Sequence, residues 1–268
     1  ALEGKNLNEI IDVFQEKLVG KKVWEKFRNE FPLLIKFIDA ATPLSVQVHP
    51  NNEQAKRLHN SFGKSEMWYI MDAEKDAELI IGFKDEITKD YYSKHLENET
   101  LEDILGKVPV SKGDAVYIPA GRVHAIGAGI VLAEIQQTSD VTYRIYDYNR
   151  IDQNGKKREL HTDLALEAID FNPIQEIKTT YNQSENQFNK LIETPYFTTE
   201  IFKGDKEIQV NDNDEMQIYI CTEGSSKFQT QNYGTEISKY QCLLMPAEIN
   251  SYKIIPEKNS TLIEVRVP

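Results

Sequence analysis

The run Lys112-Gly113-Asp114-Ala115-Val116-Tyr117-Ile118-Pro119-Ala120-Gly121-Arg122-Val123-His124 decides the reading of this chain. Residues 115–118 have strand chemistry. Gly113 and Gly121 permit tight turns, Pro119 fixes its own φ, and His124 falls at the start of the following strand. The run has a faint second copy, Lys239-Tyr240-Gln241-Cys242-Leu243-Leu244-Met245-Pro246-Ala247-Glu248-Ile249-Asn250-Ser251, in which the Lys and the Pro-Ala align. Upstream, Glu66-Met67 has a counterpart in Glu215-Met216. The letters match poorly, but their order is kept, which is what a duplicated β unit preserves. Ser251 stands where His124 stands, so a metal bound through His124 has no equivalent in the second copy.

Outward from this run, short strands are expected at 34–38, 44–48, 67–71, 78–83, 115–118, 130–136 and 141–146. A second series is expected at 197–202, 207–210, 216–221, 226–230, 242–245, 251–255 and 261–267. Apolar spacing predicts an N-terminal helix over 6–19, stopped by Gly20. Short helices are expected over 51–59 and after Thr162, with a helical insert over 88–106 and a polar turn over 152–157. The polar, Asn- and Gln-rich stretch 172–189 reads as a linker. The expectation is a mainly β protein of two jelly-roll units, the first over 1–171 with the helical segments and the second over 190–268.

The 268 residues suffice for two such units. Lys and Arg number 31 against 43 Asp and Glu, a formal charge of −12, which argues against nucleic acid and anionic membranes as partners. No apolar run reaches a membrane span. Two cysteines are too few for a disulfide scaffold, so a cytoplasmic, reduced setting is expected.

The chemistry concentrates in four stretches. In Ser45-Val46-Gln47-Val48-His49-Pro50, strand alternation puts Ser45, Gln47 and His49 on one face and the valines on the other. Lys64 and Glu66 share a face in the next; alone they make an ordinary surface pair. The third ends in His124. The fourth, Glu134-Ile135-Gln136-Gln137-Thr138-Ser139-Asp140-Val141-Thr142-Tyr143-Arg144, carries a carboxylate and ends in an arginine among tyrosines. Together Gln47, His49, Glu66 and His124 supply two imidazoles, a carboxylate and an amide oxygen, a set suited to a borderline divalent ion such as Zn²⁺. The other three of the five histidines, His59, His95 and His161, have no ligand-type neighbours; His161 precedes a helix and reads as a capping residue.

The spacing Gly113-x5-Pro119-x-Gly121-x2-His124 resembles the second signature of the cupin superfamily, with Ala128 where that signature has Asn. The four stretches in order resemble the type I mannose-6-phosphate isomerases in their short bacterial form. That resemblance implies two cupin-type jelly rolls, the second metal-free, and a Zn²⁺-dependent interconversion of mannose 6-phosphate and fructose 6-phosphate. It implies Gln47, His49, Glu66 and His124 as ligands, Ser45 and Lys64 near the substrate phosphate, and Arg144 as the catalytic arginine. An enediol route also needs a base; Glu134 is the first choice and Lys64 the second. A non-catalytic sugar-phosphate-binding or regulatory cupin and an iron-dependent cupin oxygenase are the rivals. Nothing before residue 32 matches the family's Trp-Gly and Glu-x-Trp-Glu elements, so a shortened or differently started chain is expected.

Overall fold

The computed structural model describes residues 2–151, 153–173, 176–211 and 214–268. Three short helices come first: α1 (Leu7–Phe14), α2 (Glu16–Val19) and α3 (Lys21–Phe27). The Asn6 side chain accepts from the Glu9 amide at 2.9 Å and Glu9 Oε2 accepts from the Asn6 amide at 2.8 Å, a reciprocal cap. The single helix expected over 6–19 is broken at Gln15, whose φ of 48° is not helical.

Chain contacts divide the molecule into two units, Leu34–Thr179 and Ala1–Leu33 with Thr180–Pro268. The N-terminal helices therefore group with the second unit, not with the first as the sequence order suggested. Leu18 and Lys17 carbonyls accept from the amides of Ala247 and Glu248 at 3.0 and 2.9 Å. Those bonds satisfy the open C-terminal carbonyls of a helix too short to satisfy its own.

The unit Leu34–Thr179 holds β1 (Leu33–Ala40), β2 (Val46–Val48), β3 (Glu66–Ala73), β4 (Glu78–Phe83), β5 (Leu105–Pro109), β6 (Ala115–Ile118), β7 (His124–Ile126), β8 (Ile130–Gln137) and β9 (Tyr143–Tyr146). They form two sheets, β1-β8-β3-β6 and β5-β4-β7-β2-β9. Trp68, Ile70, Val116, Ile118 and Leu132 of the first sheet share a core with Leu79, Ile81 and Ile126 of the second. Val46, Val48, Ala125, Tyr143 and Ile145 instead pack against helical residues Tyr92 and Ala165. Those residues belong to α5 (Lys89–Glu97) and α6 (Thr162–Ala168); α4 (Asn52–His59) follows β2. The alternation read at residues 45–49 is thus resolved: the valines face the helices, and Gln47 faces the other way. The helical insert is shorter than expected, because the chain turns at Leu101–Asp103 and β5 pairs with β4, with Val108 opposite Leu79.

The other unit contains β10 (Phe188–Glu193), β11 (Thr198–Gly204), β12 (Ile208–Asn211), β13 (Gln217–Glu223), β14 (Ser225–Gln229), β15 (Gly234–Ser238), β16 (Gln241–Met245), β17 (Ser251–Pro256) and β18 (Ser260–Arg266). Its sheets run β10-β11-β18-β13-β16 and β12-β17-β14-β15. The central neighbours repeat: β3 lies between β8 and β6, as β13 lies between β18 and β16. The duplication read from the sequence is therefore present in the pairing order. Neither β10 nor β15 is expected from the sequence, and the start of β10 falls in the expected linker. Ile174 and Gln175 of that linker, and Asp152 of the expected polar turn, lie outside the described residues.

Gly121 sits at φ 87° between two backbones. Its amide donates to His49 O and its carbonyl accepts from the Asp170 amide, both at 2.8 Å. A Cβ there would stand 3.0 Å from Ala168 O. Gly121→Ala should cost about 1–3 kcal/mol of stability through this strained φ. Denaturant unfolding checks it; an unchanged midpoint would contradict the assigned backbone role.

Candidate functional site

Two sheets carry the site on their facing sides. In the second sheet Gln47 of β2 lies opposite His124 of β7 on one side and Arg144 of β9 on the other. Opposed residues in antiparallel pairs project to the same face, so these three form a row. In the first sheet Glu66 opposes Gln136, and Trp68 opposes Glu134.

His49, Glu66 and His124 converge, with their ligand atoms all within 4.8 Å of one another. His124 Nε2 is 3.3 Å from Glu66 Oε1, and His49 Nε2 is 3.6 Å from Glu66 Oε2. All three side chains are buried. Each imidazole uses Nδ1 toward a backbone carbonyl, Val141 O at 3.0 Å for His49 and Arg122 O at 2.8 Å for His124. A carbonyl only accepts, so Nδ1 carries the proton and Nε2 presents a bare lone pair. His49 Nε2, His124 Nε2 and both Glu66 oxygens have no hydrogen-bond partner despite full burial. Four buried polar atoms left open around one point would be costly in a finished core, and they are what a divalent cation satisfies. The residues present therefore fit a metal, with Gln47 alongside in the same row.

The protonation states follow from burial. Burial first, and then the positive charge of Lys64, hold His49 well below the usual imidazole range, and burial holds His124 at about 4. Both rings are neutral at pH 7, as metal ligation requires. Burial and the nearby Glu134 push Glu66 up to about 8, against the pull of Lys64 3.4 Å away. Glu134 goes the other way: burial raises its pKa, but Lys64, Lys36 and hydrogen bonds from Lys36 and Trp68 outweigh it and keep it ionised. Lys36 Nζ donates to Glu134 Oε1 at 2.7 Å and to Gln136 Oε1 at 2.5 Å, and Trp68 Nε1 donates to Glu134 Oε2 at 3.0 Å.

The other residues singled out from sequence lie as follows. Lys64 is buried beside Glu66. Ser45 is buried, and its Oγ accepts from Arg144 Nε at 3.4 Å. Gln137 ties the Ser65 amide and Asn52 together, and Gln136 donates to the carbonyls of Gln137 and Ser139. His59 contacts the Tyr143 hydroxyl at 2.8 Å and His95 bonds Thr100, as bystanders. His161 occupies the position before α6 but makes no side-chain cap, which corrects that expectation. Sequence reasoning missed Lys36 and Trp68, the two donors to Glu134. It also missed Arg150 and Arg158, which bracket the buried Asp147 beside Arg144. Trp68 lies two residues after Glu66, on the same strand face, but Lys36 is one lysine among many, and only sheet pairing brings it to β8.

Two facing sheets around a buried His–Glu–His group that could hold a metal define a cupin-type fold. The chain belongs to the type I phosphomannose isomerase family and is an isomerase of that type. It is 36% identical to mannose-6-phosphate isomerase ManA of Bacillus subtilis over 244 residues, covering 87% of this chain and 77% of the relative. It is 38% identical to a mannose-6-phosphate isomerase of Streptococcus mutans over 169 residues, 63% of this chain and 53% of that one. A family model, phosphomannose isomerase type I, catalytic domain, matches residues 2–95. The match takes in the N-terminal stretch that the motif reading left outside the family. A crystal structure of mannose 6-phosphate isomerase from Bacillus subtilis superposes with a TM-score of 0.82 at 28% identity, covering 92% of this chain and 81% of the other. Among the described residues, no helix is long and apolar enough to cross a membrane.

The raised Glu66 pKa has a measurable sign. Below its ordinary 4.5, folded and unfolded chains both hold the proton; between 4.5 and about 8 only the folded, metal-free protein does, so Glu66 costs stability as pH rises through that window. A cation at the centre expels the proton. Titrating metal-free protein with Zn²⁺ at pH 7 in two buffers of different ionisation enthalpy should therefore show release of about one proton per ion; no release would contradict a protonated Glu66.

Proposed function

We propose that the chain is a zinc-dependent aldose–ketose isomerase that interconverts mannose 6-phosphate and fructose 6-phosphate through an enediol. The observation that carries this reading is the set of open, buried ligand atoms on His49, Glu66 and His124 next to a carboxylate clamped by two donors. Gln47 completes the ligand set with its amide oxygen. When bound, the ion supplies Lewis-acid polarisation of the sugar oxygens.

The remaining work falls to the chain's own groups. Glu134 is ionised at neutral pH and moves the proton between C1 and C2 of the sugar. Lys36 and Trp68 hold its two oxygens, so little reorganisation is needed during transfer. Lys64, buried and cationic beside Glu66, opposes negative charge developing on the sugar and is the alternative proton carrier. Ser45, Lys64 and Arg144 bind the phosphate end, where the planar guanidinium suits an oxyanion. The unit Leu34–Thr179 is the catalytic one and the unit with Thr180–Pro268 is metal-free. A reduced, cytoplasmic setting agrees with Cys221 and Cys242 both being free thiols.

Zinc-loaded protein should form fructose 6-phosphate from mannose 6-phosphate in a coupled assay. Sugar-phosphate binding without turnover would favour the binding-protein reading. Glu134→Gln should retain zinc and lose about 10²–10⁴-fold in kcat, the usual worth of a general base. Wild-type turnover in that variant would pass the role to Lys64. His49→Ala and His124→Ala should lose zinc by elemental analysis; full retention in both would refute the ligand assignment.

A further inference from the structure

We propose that His161 is a positioning residue for Arg144, acting through the arginine's backbone. This inference rests on the reading of Arg144 as the group that binds the substrate phosphate. β9 is an edge strand, with β2 on its inner side. The outer side of Arg144 is met by the segment leading into α6. His161 N–H donates to Arg144 O at 2.8 Å, while Arg144 N–H donates to His161 Nδ1 at 3.2 Å. In an ordinary antiparallel pair the second of these bonds would end on a backbone carbonyl; here an imidazole nitrogen replaces it. The same segment accepts from the arginine's head, with Arg144 Nη1 donating to Glu159 O at 2.9 Å.

Arg144 is thereby held at both ends by one stretch of chain, and its Nε reaches across to Ser45. The Nδ1 acceptor assigns the ring its tautomer, with the proton on Nε2. The ring is half-buried and lies 6.5 Å, centroid to centroid, from Tyr143, the neighbour of Arg144 on β9. The carbonyl of His161 accepts from the Ala165 amide at 2.9 Å and so starts α6. One residue therefore couples the rigid start of a helix to the backbone of the phosphate-binding arginine. The side chain does this instead of capping the helix, which explains a histidine where Ser, Thr, Asp or Asn is favoured.

His161→Asn keeps an acceptor at the place of Nδ1. His161→Ser can cap the helix but is too short to reach the Arg144 amide. His161→Ala removes both. KM for mannose 6-phosphate and the inhibition constant of inorganic phosphate should each rise roughly threefold to tenfold in the Ala and Ser variants, the worth of one hydrogen bond. His161→Asn should restore both toward wild type, with kcat and zinc content little changed throughout. In an Arg144→Ala background, His161→Ala should add nothing further to KM. If Arg144→Ala itself leaves KM and phosphate inhibition unchanged, the phosphate reading of Arg144 is wrong. If Arg144→Ala raises both but the Ser and Ala variants at position 161 do not, or if Asn fails to rescue them, the positioning role is overturned.

Discussion

The structure around the site depends on one desolvated carboxylate. Glu66 is completely buried with neither oxygen hydrogen-bonded, flanked by two neutral imidazoles. A buried carboxylate without partners is among the costlier things a core can hold. Lys64, 3.4 Å away, offsets part of that cost, and the metal-free protein offsets the rest by keeping the Glu66 proton up to about 8; the imidazoles, locked by backbone carbonyls, turn only lone pairs inward. The remaining demand is for a cation. Such an open group costs stability, as functional sites do, and could hold that cation.

Glu134 is the electrostatic counterweight. The two carboxylates are both buried and repel each other, so they cannot ionise with equal ease. The donors are shared unequally: Lys36 and Trp68 donate directly to Glu134, whereas Glu66 has Lys64 only at ion-pair distance. One carboxylate is thus kept charged, and the other keeps its proton within a buried group that could hold a metal. Burial, neighbouring charge and unequal donors together separate two acids of the same side-chain type.

The second unit shows what the same framework does without that demand. Glu264 opposes Tyr219 across β18 and β13, as Glu134 opposes Trp68 across β8 and β3. The Tyr219 hydroxyl donates to Glu264 at 2.7 Å and lies 2.6 Å from that of Tyr252, which in turn bonds Gln217. There the buried carboxylate is satisfied by a closed set of side chains, and among its described residues no His, Cys, Asp and Glu cluster is arranged to hold a metal. The duplicated pairing order survives while the chemistry diverges, because strand order is held by backbone bonds that side-chain substitution leaves intact.

Much of this was legible in the sequence. The run 112–124, its weak copy at 239–251 and the alternation at 45–49 implied a duplicated β fold, and with the Lys64–Glu66 stretch they singled out Gln47, His49, Glu66 and His124, because turns and strand periodicity are local properties. The helical break at Gln15, the strand at 105–109 and the grouping of residues 1–33 with the second unit were not legible, since each is settled by partners distant in the chain. The same holds for Lys36 and His161. Nothing near either residue signals its role, and only the pairing of β1 with β8, and of the segment before α6 with the edge strand β9, brings an ammonium to Glu134 and an imidazole to the backbone of Arg144. The sequence determined which donor atoms the protein possesses and on which strand faces they lie. Tertiary structure alone decided their charge, because charge depends on how completely water is excluded and on which cations the fold brings alongside.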